Sequence, residues 1–532
     1  METPAEFPAI TGTAARLARN PFARAFQVPE RMFDRVFGAA QNPLRQLGAL
    51  GFYFFWMVIV SGIYVYVFFD TSIAGAYQSL EALATEQRYI GGLMRGLHRY
   101  ASDAFAAVVA LHLARELAYG RFAGFRWFSW ASSVPLLWLG LAAGIGGYWL
   151  VWDQLAQFIG IAVTEWFGWL PGFGVTMVRN FLVTDTLSDR LFSLLVFLHI
   201  GIPLLLLLGM WVHIQRIARP RTWPDARLGL GLLASLLVLS LVKPALSQPP
   251  ADLATVPLLL RFDWFYLFPA PLLYRGSPGA LWLAATAATL ALMLLPWVVP
   301  SRRPPVAQVH PANCNGCGRC FADCPYGAVL MIPRADGRAH LRQAAVLPDL
   351  CASCGICAGA CPSATPFRKV AEFRNGIDLP QLSVGALRLG LRLALAGLNG
   401  KARVVAFGCD RGADIKPLAR AAVATFSLPC IGMLPPSFVE YALRGGADGV
   451  FVAGCGEGDC EYQCGDQLTR ERIEGRREPH LRINVARERL RLAFTGDAGA
   501  LERELAHFRA ALSGPMPPPL SRHPRRRKGA HG

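Results

Sequence analysis

Residues 95–114 read RGLHRYASDAFAAVVALHLA, and residues 199–213 read HIGIPLLLLLGMWVH. Each stretch is largely apolar and carries two histidines fourteen residues apart, His98 with His112 and His199 with His213. Fourteen residues of α-helix rise about 21 Å and make close to four turns. Both imidazoles of a pair therefore face one way, at two depths of a hydrocarbon core roughly 30 Å thick. Two such helices face to face supply an axial pair at each depth, His98 with His199 and His112 with His213, which is the ligand set of two stacked haems. One intramembrane histidine alone would read as readily as a polar group satisfied inside a bundle. Here the only four of ten histidines that lie in apolar spans form the double pair.

Working outward, six apolar stretches precede residue 300, at roughly 48–69, 91–114, 133–152, 191–213, 228–243 and 278–299, the fifth marginal in length. The 532-residue chain is 53% hydrophobic and 17% charged, enough for a membrane domain and at least one soluble domain. No leader peptide is expected, because the first apolar run begins nearly fifty residues in. Turns 115–128 and 214–227 hold seven Lys and Arg in 28 residues, whereas loops 70–92, 156–190 and 243–276 hold six in 92. That bias puts the amino terminus and everything after residue 300 in the cytoplasm. All thirteen cysteines lie there, where thiols stay reduced, so they read as metal ligands. The net charge of +17 lies largely beside the spans and in the tail HPRRRKGAHG; it suits anionic lipid or an acidic partner, and nucleic acid is not expected.

A haem between helices needs small neighbours. Gly48 and Gly62 repeat the fourteen-residue step in the first span, and Ser133 and Gly147 do so in the third. Arg95 and Arg99 flank His98 as propionate partners or as interfacial anchors. With RGLHRYAS at 95–102, GYWLVWDQ at 147–154, Thr186-Leu187 before the second histidine helix and Pro203 four residues after His199, residues 40–299 resemble the cytochrome b of respiratory bc complexes and its photosynthetic counterpart. The resemblance implies two b haems, one near each membrane face. Arg190 lies farther from His199 than the family's pattern suggests.

The segment RFDWFYLFPAPLL at 261–273 looks like that family's Pro-Glu-Trp-Tyr motif of the quinol-oxidation pocket, here Phe262, Asp263, Trp264 and Phe265. The resemblance implies Asp263 as a proton relay for a quinone, with Trp264 at the pocket. Aromatics and an Asp marking the interface are the plainer reading.

After VVPSRRPP, two runs of C-x2-C-x2-C-x3-C-P follow, CNGCGRCFADCP at 314–325 and CASCGICAGACP at 351–362. In the bacterial two-cluster arrangement the fourth cysteine of each run serves the other cluster. One 4Fe-4S cluster then takes Cys314, Cys317, Cys320 and Cys361, and the other Cys351, Cys354, Cys357 and Cys324. Farther on, RVVAFGC, ATFSLPC and GVFVAGC end apolar runs at Cys409, Cys430 and Cys455, and Cys460 and Cys464 follow. Strand, helix, strand implies a parallel α/β unit with these thiols at the carboxyl edge of its sheet, enough for a 2Fe-2S cluster with one cysteine to spare. Residues 401–475, and GADGVFVAGCGEGDCEY above all, resemble the delta subunit of methyl-viologen-reducing hydrogenases, which links a hydrogenase or flavoprotein to a heterodisulfide-reductase-like partner. Which four of the five cysteines bind iron stays open.

The fold expected is thus an all-α transmembrane bundle of about six spans, then a ferredoxin-like α+β domain and a small parallel α/β domain. The expected boundaries are 1–47 cytoplasmic segment, 48–299 membrane domain, 300–313 linker, 314–366 ferredoxin-like domain, 367–475 delta-like domain and 476–532 basic helical extension. The expected role is a quinone-linked electron-transfer subunit in a bacterial inner membrane, carrying electrons from a cytoplasmic flavoprotein or iron-sulfur dehydrogenase to membrane quinone. Reversed flow toward a bifurcating or heterodisulfide-reductase-like partner, and a purely bracing role for the cofactors, are the alternatives, and a homodimer is left open.

Overall fold

The computed structural model describes residues 21–172, 188–299, 304–338, 340–370, 372–456 and 458–514. Thr186, Leu187 and the tail HPRRRKGAHG lie outside them. The chain separates into two compact units, each described by itself. One is Val28–Gln215 with Pro220–Ser301, and the other is mainly Arg302–Gly532.

The first unit is helical: α1 Pro21–Phe37, α2 Leu47–Phe68, α3 Ala76–Thr85, α4 Gly91–Ala118, α5 Trp127–Leu150, α6 Gln154–Gly168, α7 Asp189–His213, α8 Ala226–Val242, α9 Trp264–Leu267, α10 Pro269–Arg275 and α11 Pro278–Val298. Among the described residues four stretches are long and apolar enough to cross a membrane, Leu47–Phe68, Gly124–Leu150, Phe192–His213 and Pro278–Val298. The other two expected spans are helices, but α4 carries Arg95, Arg99, Asp103, Arg115 and Glu116, and α8 is apolar over only 17 residues. α2 lies along α4, and α5 along α7. The long loop expected at 156–190 begins instead with helix α6, capped by the Asp153 carboxylate accepting from Ala156 N at 2.9 Å.

The second unit begins inside the expected linker, where β1 Gln308–Val309 pairs antiparallel with β4 Ile377–Asp378. β2 Val329–Pro333 and β3 Arg342–Val346 form a second antiparallel pair, and the short helices α12 Arg319–Asp323 and α13 Ile356–Ala360 carry cysteines of the two runs. Beyond α14 Val384–Gly397 comes a parallel sheet of order β6-β5-β7-β8, from β5 Val404–Cys409, β6 Val423–Leu428, β7 Gly449–Gly454 and β8 Leu490–Phe494. Helices α15 Pro436–Arg444, α16 Gly465–Ile473 and α17 Ala498–Leu512 accompany it. β5 and β7 are buried throughout, as central parallel strands are.

The stretch expected as linker holds β1, which supplies an edge strand to β4. The stretch expected as extension from 476 holds β8, which pairs parallel with β7 from Val450–Leu490 to Gly454–Phe494. Its LRLAF strand sits in an arginine-rich stretch whose charge masked the alternation. One hydrophobic core runs from Ala307 through Phe373, Leu387 and Val450 to Val485, so the ferredoxin-like part and the α/β part fold on a shared interior.

Candidate redox sites

Helix α4 turns His98 toward α7, and the His98 and His199 ring centroids lie 6.3 Å apart at an interplanar angle of 70°. Two metal–imidazole bonds of about 2 Å and two ring radii of about 1.1 Å need rings roughly 6 Å apart, so the spacing leaves room for one iron between them. The outer nitrogens are already engaged. His98 Nδ1 lies 3.0 Å from Val58 O and 3.3 Å from Ser61 Oγ, and His199 Nδ1 lies 3.1 Å from Ala143 O. A carbonyl accepts only from N–H, so this contact holds the proton on Nδ1 and leaves the Nε2 lone pair for a metal. At the other depth His213 Nδ1 meets Ser132 Oγ at 2.9 Å, and Gly48 stands beside His112.

The glycines pack against the imidazoles. A methyl group at Gly62 would lie 2.8 Å from His98 Cε1, one at Gly147 3.0 Å from His199 Cε1, and one at Gly48 3.6 Å from His112 Cε1. The fourteen-residue glycine step thus tracks the fourteen-residue histidine step because each glycine faces one ring. In the third span the serine that meets a histidine is Ser132, while Ser133 bonds back to Trp130 O. Gly62→Ala forces His98 to shift and should cost about 1–3 kcal/mol of overpacking. Optical spectra of the variant should show a perturbed His98/His199 site beside an unchanged His112/His213 site.

The two arginines have other employment. Arg95 donates to Leu80 O at 2.8 Å, Glu81 at 2.9 Å and Ser247 Oγ at 2.5 Å. Arg99 pairs with both Asp103 and Asp263 and lies 5.0 Å over the Tyr148 ring. Pairing with carboxylates of the chain itself was not expected for either; the partners Glu81 and Asp263 come from outside α4, which no local pattern could reveal. Arg190 is exposed.

Near them is an apolar cavity lined by Ile145, Ile159, Val163, Trp166, Tyr266 and Leu273 among others. Asp263 caps α9 by accepting from Phe265 N at 2.8 Å, and its other oxygen meets Arg99 and the Tyr148 hydroxyl. Asp263 is not among the lining residues, and Trp264 is 65% exposed with its ring 5.0 Å from Phe262. The tyrosine missing at position 265 stands one residue on. Tyr266 is 1% exposed, faces the cavity and donates to Ser102 O at 2.7 Å.

In the second unit the cysteine runs cross over. One cavity is lined by Cys314, Cys317, Cys320 and Cys361 with Met331 and Ile377. A second is lined by Cys324, Cys351, Cys354 and Cys357 with Tyr326 and Ile356. Gly318 (φ 73°) and Gly355 (φ 78°) start α12 and α13 in the left-handed region, turning each loop around its cavity. Burial pushes the Cys320 thiol up to about 12, so it ionises only against a metal ion.

At the carboxyl edge of the parallel sheet, Cys409 touches Cys430 and Cys455, and Cys460 touches the same two, closing a ring of four sulfurs. Cys409 Sγ and Cys455 Sγ are 3.5 Å apart. Backbone N–H groups of Gly432 and Gly465 point at Cys430 Sγ and Cys460 Sγ at 3.4 and 3.2 Å, favouring thiolates there. Cys464, the N-cap residue of α16, is outside the ring. The donor sets fit the groups expected of them: imidazoles for haem iron, thiols for iron-sulfur clusters.

Comparison with known proteins agrees with this division. Residues 37–220 match the cytochrome b/b6/petB family, residues 313–365 the 4Fe-4S dicluster domain, and residues 406–511 the delta subunit of methyl-viologen-reducing hydrogenase. A cytochrome b from Rhodospirillum rubrum is 27% identical over 279 residues, 46% of this chain and 67% of that protein. A solved structure titled hyperthermophilic respiratory Complex III aligns with 48% of this chain and 75% of its own at 21% identity and a TM-score of 0.40. The delta-subunit match reaches 511, taking in β8 and most of α17, as the sheet does. In order along its length, then, the chain is similar to cytochrome b/b6/petB, to a 4Fe-4S dicluster domain and to the delta subunit of methyl-viologen-reducing hydrogenase, a combination that points to a membrane electron-transfer subunit.

Proposed function

We propose that this chain is the quinone-linked membrane subunit of a larger redox complex, relaying electrons between a cytoplasmic dehydrogenase, a flavoprotein by preference, and the quinone pool of a bacterial inner membrane. When bound, two b haems, two 4Fe-4S clusters and one 2Fe-2S cluster supply the one-electron steps. The residues do the rest. His98 with His199 and His112 with His213 hold the haems. The crossed sets Cys314, Cys317, Cys320, Cys361 and Cys324, Cys351, Cys354, Cys357 hold the 4Fe-4S pair, and Cys409, Cys430, Cys455 and Cys460 hold the 2Fe-2S group. α4 and α8 complete six membrane passages, which leaves the cysteine-bearing unit cytoplasmic. The observation that carries this reading is the 6.3 Å spacing of the His98 and His199 rings, with their outer nitrogens occupied.

The cavity beside Tyr266 takes the quinone, whose reduction needs protons as well as electrons. Asp263 and Tyr148 lie outside the lining, behind Tyr266, whose ring is 6.2 Å from that of Tyr148, and form the pair that hands the proton on toward the cavity. Removing a positioned acid–base group typically costs 10²–10⁴-fold, so Asp263→Asn should lower quinone reduction by about 10²-fold or more while Asp263→Glu retains most of it. Equal loss in both variants, with haem spectra intact, would count against a proton relay. For the reading as a whole, reduced-minus-oxidised spectra of the purified protein should show b-type bands, with electrons from an added low-potential donor reaching a soluble quinone analogue. A preparation with no b-type band ends it.

A further inference from the structure

Helix α16 carries one arginine whose position the relay does not explain. Arg472 is 0% exposed, in a chain where most arginines reach water. Its Nη1 donates to Gly432 O at 2.8 Å, and its Nη2 donates to Asp323 Oδ2 at 2.5 Å and to Ile356 O at 3.4 Å. Gly432 lies two residues from Cys430 of the sulfur ring. Ile356 stands between Cys354 and Cys357, and Asp323 adjoins Cys324. One guanidinium thus bridges the loop of the four-sulfur ring and both segments that bear the second ferredoxin set. Arg477 donates to Asp323 Oδ1 at 2.5 Å, so that carboxylate is doubly paired.

The backbones at this junction are as close as they can be. A methyl group at Gly432 would lie 2.9 Å from Ile356 Cγ1, and one at Gly355 would lie 2.8 Å from Met433. A methyl group at Gly359 would lie 2.9 Å from Arg472 Nη1. Neither ferredoxin cavity is lined by a residue of the delta-subunit region, so it is the loop contacts of Gly432 and Met433 with Ile356 and Gly355 that tie the second set to the four-sulfur ring.

We infer that the four-sulfur ring exchanges electrons directly with the second ferredoxin set, Cys324, Cys351, Cys354 and Cys357, and that Arg472 is the positioning residue of that junction. The first set lies beyond it on the path. The inference rests on the ring holding a 2Fe-2S group. In each transfer one electron leaves one centre and enters the other, and no proton or ligand moves. A buried cation with a single carboxylate partner usually gains little stability over an apolar pair. Its value here lies in hydrogen bonds to two carbonyls that belong to two different redox loops.

The test uses the full-length holoprotein, reduced with dithionite, in electron paramagnetic resonance. The 2Fe-2S signal should show broadening and faster relaxation from a neighbouring paramagnet. Cys354→Ser should abolish that coupling, and Cys317→Ser should leave it. In redox titrations Arg472→Met should shift the second set's midpoint to more negative values, with the first set unmoved and Arg472→Lys close to the parent. Coupling that survives Cys354→Ser but vanishes in Cys317→Ser overturns the inference, as does a shift of both ferredoxin midpoints together. Should Arg472→Met fail to assemble, the two cysteine variants decide. A preparation in which the 2Fe-2S signal is missing altogether refutes the underlying reading, an outcome distinct from a signal coupled to the wrong partner.

Discussion

Alanine at His98 should halve the haem content of the purified protein and remove one of two b-type components from the spectrum, and alanine at His112 should remove the other. In the proposed assignment each haem iron would take one ligand from α4 and one from α7, so either variant should leave the second depth untouched. Changes in the groups that merely orient a metal-bound imidazole cost about 10–100-fold in affinity, and deleting the imidazole should cost more than about 100-fold. His199→Ala should reproduce the His98→Ala spectrum because the two rings face each other. His213→Ala should reproduce that of His112→Ala. Pyridine haemochrome assay with redox titration of the remaining band checks both. Loss of both components in every variant would mean a collapsed bundle, and unchanged spectra would mean that the imidazoles are not ligands. Ser132→Ala should act in the same direction as His213→Ala but far more weakly, since it removes the partner of Nδ1 and not the ligand.

Cys430→Ser should abolish the 2Fe-2S signal, and Cys464→Ser should retain it. Cys430 is buried between Cys409 and Cys460, whereas Cys464 begins α16 outside the ring. Iron per chain should fall by about two atoms in the first variant and stay level in the second, while both ferredoxin centres keep their signals. Metal binding at such a site contributes to folding, so Cys430→Ser should also lower the melting temperature of the soluble unit. If Cys464→Ser instead destroyed the signal, the ring would be the wrong set of four. The same pair of variants on the ferredoxin side, Cys361→Ser against Cys324→Ser, should each disable the cluster whose other three ligands lie in the opposite run.

How much of this was legible beforehand differs from site to site. The placing of His98 opposite His199 was, because helical periodicity turns an interval of fourteen into a common direction. The gathering of the cysteines of the two runs around two cavities was, because the runs repeat a spacing whose loop closure is local, with Gly318 and Gly355 at matching turns. The surroundings of Arg99 were not. Its neighbours Asp263 and Tyr148 come from segments far along the chain, and a salt bridge across 164 residues leaves no trace in local pattern. Tyr266 was passed over because the motif was matched position by position, whereas the helix needed a buried aromatic one residue on. β8 was passed over because its alternation is short and its flanks are basic.

The sequence by itself determined which atoms can meet iron, since ligand identity and interval are properties of the chain and of regular helix and loop geometry. Only the tertiary structure decided which of five cysteines form a ring, which carboxylates hold Arg99, and that one buried arginine joins two cysteine loops. Those are contacts between segments distant in sequence, and they exist only once packing of the shared core has brought the segments together.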